Sequence, residues 1–343
     1  MNPQPQNVLD DRGTNTIFTV WNFKEDAAID DAFRRICALV ININHSAYVR
    51  FPDGGVSCVM GIGHDAWLRL RLPEPLPKEL VNFSPIAGQK HTAVATKGDL
   101  HFHLKGDNNS ICIDLAADIA KILTPVANCA EEVHGFRYWD GRSIFGFVDG
   151  TENPHGGQQR AYFGLIGDAD PAYKGGSYLF VQKYMHDLTA FNNLSLTEQE
   201  NVFGRYKQSD VEMTDEVKPK NAHSAVANVG DDFKIIRDNM PFGNMSNNEM
   251  GTYFIAYAST FSTVKKMLDS MFLGNEDASH DRLLDFSIAK TGTLFFVPAL
   301  DMLDDFSTEP DADETGAGAG NEEIKNTTGT SSTDGSLGIG SLK

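Results

Sequence analysis

The sequence predicts an α+β protein in which two similar sets of strands and helices follow one another. Short apolar, strand-like runs alternate with segments whose apolar residues recur at helical spacing. This order occurs twice before residue 300. The hydrophobic content of 41% and the aromatic content of 10% are enough for a folded core. Together these observations predict two ferredoxin-like halves with antiparallel sheets.

The first set occupies the chain before about residue 132. Apolar residues at spacings of three and four, as at Phe33, Ile36 and Val40, indicate its first helix. Its strands are predicted at residues 16–23, 55–62 and 100–104, and its helices at 27–43 and 114–123.

The second set follows a boundary placed between about residues 132 and 157. Ser195, with Glu198 three residues later, forms the capping-box pattern that opens a helix. The remaining elements are strands at residues 177–184, 233–236 and 252–258 and a helix at 263–272. The predicted halves are therefore residues 1–145 and 146–303.

Charge and cysteine content argue against several classes of protein. With 29 basic and 47 acidic residues the net charge is −18, which disfavours binding to nucleic acid or to an anionic membrane. The chain has no apolar run of the ~20 residues that span a membrane, and its polar start does not resemble a signal peptide. No C-x-x-C pair occurs, and the four cysteines are expected to be buried, reduced thiols. A cytoplasmic protein is predicted.

The composition changes after residue 303. Acidic residues are dense from Asp304 to Glu314, and glycine, alanine and small polar residues follow. Because such a segment buries too little apolar surface to offset its ordering entropy, residues 304–333 are predicted to be a flexible linker. Residues 334–343 differ, because Leu337, Ile339 and Leu342 stand at the far end of this tether.

The segment GFVDGTENP, residues 146–154, is the most unusual in the chain. Gly146 and Gly150 permit backbone conformations that other residues avoid, which allows close approach to a ligand around Asp149. On spacing alone, an ordinary turn with an Asx cap is an equal explanation. A phosphate loop is disfavoured because no Gly-Lys-Ser/Thr follows.

Histidine and arginine provide further candidates. His101 and His103 alternate on a predicted strand without a third ligand nearby, and solvated strand histidines are expected. His223 precedes a small apolar segment, as would suit an axial ligand to haem iron, although its residues alone favour an ordinary histidine. Arg237 ends an apolar strand, with its guanidinium either directed inward or paired with an acid such as Asp238.

These segments together resemble the dye-decolourising (DyP-type) haem peroxidases over roughly residues 15–300, and most closely their shorter bacterial branch. Residues 146–150 match the family's G-x-x-D-G signature, which family members often extend as D-G-T-E-N-P. His223 falls where the family has its proximal haem ligand, and Arg237 with Asn239 resembles its distal pair. The segments DRLLDF at 281–286 and FFVP at 295–298 are also similar.

The resemblance implies a barrel-like α+β fold, a homo-oligomer, and one haem b per subunit in the C-terminal half. It implies that His223 binds the iron and that Asp149 and Arg237 act on hydrogen peroxide. Asp281 is the preferred partner of the His223 ring, and Asp285 is the alternative. Tyr138 and Trp139 could relay electrons from organic donors, although an aromatic pair is more often packing. The residues implied to contact or support the haem are Asp149, Gly150, Thr151, Glu152, Asn153, His223, Arg237, Asn239, Phe254 and Asp281.

The last eight residues, from Ser336 to Lys343, resemble the targeting peptide by which cargo enzymes dock inside encapsulin shells. That resemblance implies an encapsulin shell protein as a partner and a location inside a nanocompartment in the cytoplasm. On composition alone, a disordered tail is the alternative explanation of these eight residues.

Three hypotheses about function follow. The first is a peroxidase that reduces hydrogen peroxide and oxidises dyes or other organic reductants, packaged as encapsulin cargo. The second is a non-catalytic haem-binding or haem-iron handling protein, which would need His223 but not Asp149 and Arg237 together. The third is a metal-free ferredoxin-like binding protein, which would explain neither His223 nor the signature loop.

Overall fold

The N-terminal half forms a four-stranded sheet with two long helices on one face. A computed structural model describes residues 3–11, 13–51, 55–247 and 249–308. The elements of this half are β1 (Asn15–Phe23), α1 (Asp30–Arg50), β2 (Ser57–Gly63), α2 (His64–Arg69), β3 (Ile86–Ala87), β4 (Thr92–Ala93), β5 (Leu100–Gly106), α3 (Asn109–Leu123) and β6 (Ala127–Phe136). Strands β3 and β4 form a separate small hairpin.

The C-terminal half has more helices between its first two strands. Its elements are α4 (Gly157–Gly164), β7 (Ser177–His186), α5 (Leu188–Asn192), α6 (Leu196–Phe203), α7 (His223–Ala227), β8 (Ile236–Arg237), β9 (Met240–Asn244), β10 (Glu249–Ala258), α8 (Phe261–Leu273), β11 (Ser287–Ala289), β12 (Thr293–Val297) and α9 (Leu300–Ser307). A 3₁₀ turn, Arg282–Asp285, lies between α8 and β11. Ser195 caps α6 by accepting a hydrogen bond from the Glu198 amide, as the capping-box pattern predicts.

The two halves have the same strand order. The large sheet runs β6-β1-β5-β2-β12-β7-β10-β8, with β9 and β11 pairing at β10 and β7. Numbered by sequence within each half, both sets read 4-1-3-2. All strand pairs among the described residues are antiparallel. The predicted α+β fold with two ferredoxin-like halves is confirmed.

The halves join where β2 pairs with β12. Only two residue pairs form this ladder, Gly63 with Phe295 and Ile62 with Phe296. The Gln6 side chain, 1% exposed, lies across the join. Its Nε2 donates to the carbonyls of Met60 and Pro298 at 3.1 and 2.9 Å, and its Oε1 accepts from the Met60 amide at 2.8 Å. Gln6 therefore connects both halves through backbone groups.

The sheet curves until its outer strands approach each other. A Cβ atom at Gly135 on β6 would lie 2.6 Å from the Cβ of Met240 on β9, so only glycine fits there. The enclosed interior is an apolar cluster that includes Phe18, Leu179 and Phe295. A second and larger cluster fills the space between the outer face of the sheet and helices α1, α3 and α8.

The expectation that His101 and His103 are solvated is wrong. Both are 0% exposed, because β5 lies between β1 and β2 and both of its faces are covered. Nδ1 of His103 lies 2.9 Å from the Tyr257 hydroxyl, whereas neither ring nitrogen of His101 has a hydrogen-bond partner among the described residues. Burial lowers the pKa of both rings, that of His101 to about 3.

Some element boundaries differ from those predicted. Helix α1 continues to Arg50, beyond the predicted end at residue 43, because Ala47 extends its buried face by another turn. The strand predicted at 233–236 contains only Ile236 and Arg237, because Phe233 lies in a turn closed by its amide and the Gly230 carbonyl.

Residues 304–307, which were predicted to belong to the linker, are helical. Helix α9 extends to Ser307, because Leu303 is buried and Phe306 packs against the same core. The rest of the predicted linker and the predicted targeting peptide lie outside the described residues. Across the described ranges, none of the helices has the length and apolarity needed to cross a bilayer. Cys37, Cys58 and Cys112 are buried and free as expected, but Cys129 is exposed on β6.

We expect the buried His101 to make folding stability depend on pH. Below about pH 6.5 the unfolded chain binds a proton at this ring, which the folded chain does not bind until about pH 3. Stability is therefore lost as the pH falls through this window, by up to ~1.4 kcal/mol per pH unit. Denaturant unfolding of the wild type and His101→Phe at about pH 7 and about pH 4.5 should show a smaller loss in the variant. The exposed His45→Gln variant should keep the wild-type loss, and equal losses in wild type and His101→Phe would contradict the assignment.

Candidate active site

A large cavity opens in the C-terminal half beside β10. Its empty volume is about 1570 Å³, with its open mouth included. Eight of the ten residues predicted from the sequence line it: Asp149, Gly150, Thr151, Glu152, His223, Arg237, Asn239 and Phe254. Asn153 and Asp281 do not line the cavity, but each hydrogen-bonds a residue that does.

The signature loop has the backbone shape that its glycines predict. Gly146 and Gly150 have φ values of +87° and +78°, a region that favours glycine. The Arg142 guanidinium donates to the Gly146 carbonyl at 2.9 Å. The Phe147 ring stacks on Phe203, with centroids 4.0 Å apart. A rigid loop therefore places Asp149 at the cavity wall.

Asn239 positions the Asp149 carboxylate. Its Nδ2 donates to Oδ1 of Asp149 at 3.4 Å, and its Oδ1 accepts from the Ile255 amide of β10 at 3.1 Å. Asn239 is 9% exposed, so the amide has little freedom to rotate. The carboxylate is thus tied to the central strand of the half.

Arg237 faces the cavity, and Asp238 faces the opposite side of the sheet. Successive residues of a strand point to opposite faces. Oδ2 of Asp238 lies 3.7 Å from the Lys105 amine inside the barrel. The Asn153 side chain forms two hydrogen bonds with the Arg237 backbone, donating to its carbonyl at 2.7 Å and accepting from its amide at 3.1 Å. Of the two positions considered for Arg237, the structure therefore shows the one directed into the cavity.

His223 begins helix α7 on the cavity wall. Its Nδ1 lies 2.6 Å from Oδ2 of Asp281, which is fully buried. The other carboxylate oxygen of Asp281 accepts from the Leu283 amide at 2.9 Å. Because a carboxylate only accepts, Nδ1 carries the hydrogen and Nε2 keeps the lone pair that a metal ion requires.

Asp285, the alternative partner of His223, is engaged elsewhere. Its Oδ1 lies within 2.9 Å of Lys90 Nζ, His91 Nε2 and His280 Nε2. Burial alone would raise the pKa of this carboxyl, but the hydrogen bonds from these three groups outweigh it and hold the pKa at about 2.

Sequence reasoning missed several lining residues. Tyr184 and His186 lie two apart on β7, and burial lowers the pKa of His186 to about 3. Their spacing shows that they share a face of the strand, but it does not show that this face borders a cavity. Arg205 also lines the cavity, and its guanidinium donates to Glu152 and Glu212 at 2.8 and 2.9 Å.

The donor set and the walls fit a haem. Of the two histidines that line the cavity, His186 has both ring nitrogens in hydrogen bonds, whereas the Asp281 contact of His223 uses only Nδ1. Apolar side chains such as Phe254, Leu268 and Met271 form much of the wall. A bulky, largely apolar group with one metal coordination position matches these features.

Tyr138 and Trp139 lie in the loop before the signature, outside the cavity wall. Trp139 is 79% exposed, its φ is +50°, and its ring centroid lies 6.3 Å from that of Tyr138. This loop is linked to the signature loop, because the Asp149 amide donates to the Gly141 carbonyl at 3.2 Å.

Two family descriptions match most of the chain. Residues 5–137 match the N-terminal part of the Dyp-type peroxidases, and residues 140–302 match the C-terminal part.

Three solved structures are similar over nearly their whole length. A dye-decolorizing peroxidase from Bacteroides thetaiotaomicron is 49% identical with a TM-score of 0.86, covering 89% of this chain and 99% of that one. The encapsulated DyP-type peroxidase from Mycobacterium smegmatis is 44% identical with a TM-score of 0.82, covering 88% and 98%. A variant of DypB from Rhodococcus jostii in complex with heme is 42% identical with a TM-score of 0.81, covering 89% and 99%.

Proposed function

The chain belongs to the Dyp-type peroxidase family, and on that premise we propose that it reduces hydrogen peroxide and oxidises dyes or other organic reductants. It is a haem-dependent peroxidase. One observation carries the proposal: Asp149 and Arg237 line the same cavity as His223. A protein that only carried haem would need His223 alone.

His223 would hold the haem iron through Nε2, and the haem, when bound, would supply the electron-transfer chemistry of the reaction. Asp281 keeps Nδ1 protonated and the ring fixed, which raises the basicity of Nε2. The buried Asp281 is thus a positioning residue for His223.

On the distal side, Asp149 acts as the general base. Its carboxylate would take a proton from one oxygen of hydrogen peroxide and return it to the other, which leaves as water, while the haem would supply the two electrons that reduce the O–O bond. The Arg237 guanidinium stabilises the negative charge that develops as the O–O bond breaks. Asn239 and Asn153 hold these two groups in place from β10 and the signature loop.

Bulky reductants would exchange electrons at the protein surface. The exposed Trp139, next to Tyr138 and linked through Gly141 to the signature loop, is the proposed contact point. An oxidised aromatic ring at the surface can accept an electron from a dye too large for the cavity to admit.

Residues 334–343 are proposed to dock a homo-oligomer of this enzyme on the inner wall of an encapsulin shell in the cytoplasm. The Mycobacterium smegmatis relative is encapsulated, and the Leu337, Ile339 and Leu342 side chains could fill apolar pockets of a shell. The free state of all four cysteines is compatible with a reducing compartment. If residues 304–333 form a flexible linker as predicted, this stretch of about thirty residues would reach roughly 30 Å.

We expect His223→Ala to contain little or no haem, because it removes the iron ligand. The measurement is haem per chain in purified protein, together with the Soret absorption. His134→Ala, an exposed histidine on β6, is the matched control and should bind haem normally. Normal haem content in His223→Ala would refute the assigned ligand.

Arg237→Ala and Asp149→Ala should both slow peroxide reduction while keeping haem. Loss of a charge-stabilising donor costs ~10²–10³ in rate, and loss of a general base ~10²–10⁴. We expect Arg237 to matter at least as much as Asp149, because water can partly replace a base. Stopped-flow rates per bound haem test this, with the exposed Arg35→Ala and Asp26→Ala as controls. A wild-type rate in both variants contradicts the distal site.

Deletion of residues 336–343 should abolish co-purification with a co-expressed encapsulin shell and leave peroxidase activity per haem unchanged. Replacing Leu337, Ile339 and Leu342 together by serine, at full length, should have the same effect if apolar docking is the cause. Full packaging of either variant, or loss of haem, would contradict this division of roles.

A further inference from the structure

A second cluster of metal-ligating side chains lies outside the haem cavity. His91 comes from the turn between β3 and β4, His280 precedes the 3₁₀ turn after α8, and Asp285 is the last residue of that turn. Their donor atoms all lie within 4.8 Å of one another, and none of the three lines the cavity. Residues nearly 200 positions apart therefore converge on one point.

The arrangement is close to that of a metal site. Nε2 of His91 and Nε2 of His280 lie 2.8 and 2.9 Å from the same oxygen, Oδ1 of Asp285. A tetrahedral ion with bonds of 2.0–2.2 Å holds its ligand atoms about 3.4 Å apart. Each histidine nitrogen needs to move only about half an ångström away from Oδ1 of Asp285 to reach that separation.

The backbone and a neighbouring hydroxyl already hold these ligands. The Ser279 hydroxyl lies 3.0 Å from Nδ1 of His280, which leaves Nε2 to face Asp285. Such a contact on the second ring nitrogen is common for histidines that bind metals. The Gly88 amide donates to the His91 carbonyl at 2.9 Å and closes the turn that carries His91.

We propose that His91, His280 and Asp285 bind a divalent transition-metal ion such as Zn²⁺, with water completing the coordination. Two imidazoles and one carboxylate favour Zn²⁺, Ni²⁺ or Cu²⁺ over Mg²⁺ or Ca²⁺. The three side chains are 15–27% exposed, so solvent can reach the ion.

Lys90 competes with the metal for Asp285. Its Nζ lies 2.6 Å from the same Oδ1, and its side chain is 57% exposed. An exposed ammonium can move away at small cost. Removal of Lys90 therefore distinguishes the two roles. It would weaken an ordinary ion-pair cluster, but it would leave Asp285 freer to bind a metal ion.

The ion would tie the β3–β4 hairpin to the turn that begins at Asp281, the residue that holds His223. It would stabilise the support behind the proximal histidine from outside the cavity. The proposal does not depend on the peroxidase activity.

The test uses the haem-loaded full chain, stripped of loosely bound metal with a chelator and dialysed against Zn²⁺. We expect one zinc per chain by elemental analysis, and a thermal midpoint that Zn²⁺ raises and Mg²⁺ does not. His280→Ala and His91→Ala should each weaken binding on the order of 100-fold. His134→Ala, which removes a histidine beside Glu132 on β6, should bind zinc as the wild type does.

Lys90→Ala is the discriminating variant, because it removes a cation without removing a ligand. We expect it to tighten zinc binding a few-fold, the size of an exposed ion pair. The proposal is overturned if the wild type binds no more zinc than His280→Ala does, or if Lys90→Ala weakens zinc binding. Lys90→Ala also keeps all three ligands, so the test holds even if a histidine variant folds poorly.

Discussion

The hydrogen bond between His223 and Asp281 is the contact on which the site depends. Asp281 is fully buried, and each of its carboxylate oxygens has a partner: His223 on one and the Leu283 amide on the other. Its own amide donates to the Met271 carbonyl at the end of α8. One residue thus fixes the orientation of the imidazole and starts the 3₁₀ turn through its side chain, and joins that turn to a core helix through its backbone amide. A buried carboxylate with fewer partners would be costly, so ring orientation and local fold are maintained together.

The opposite wall uses asparagines for the same purpose. Asn239 and Asn153 each donate and accept, so each connects a functional residue to backbone without adding charge. A side-chain amide can accept a hydrogen bond from an N–H and donate one to an oxygen at the same time, which neither a carboxylate nor an ammonium can do. Asn239 and Asn153 therefore help to determine where the charges of Asp149 and Arg237 lie.

Local features of the site were predictable from the sequence, whereas contacts across the fold were not. The positive φ values at Gly146 and Gly150 follow from residue type, and the cap at Ser195 follows from Glu198 three residues on. The choice between Asp281 and Asp285 could not be made, because both lie within one turn and the decision rests on where His91 and His280 stand in space.

Burial was the property that local sequence described least well. His101 and His103 alternate as exposed polar residues of a strand would, but β5 is covered on both faces because neighbours from distant parts of the chain pair on either side. Tyr184 and His186 reach the cavity for an equally non-local reason, since the rest of its wall comes from distant segments such as the signature loop and α8. Periodicity identifies which residues share a face, and only the tertiary packing determines what that face meets.

The position of Gln6 has a consequence for the order of events during synthesis. One of its partners, Pro298, lies 292 residues further along the chain. At roughly 5–20 residues per second a ribosome takes about 15–60 s to make that stretch. Until then the edge of β2 that later meets β12 has no partner strand, and an unpaired edge is a template for pairing with another chain. The nascent N-terminal half, complete once β6 has been made, must therefore pass through the later part of this interval with an open edge. The last strand of the sheet both completes the barrel and removes that hazard.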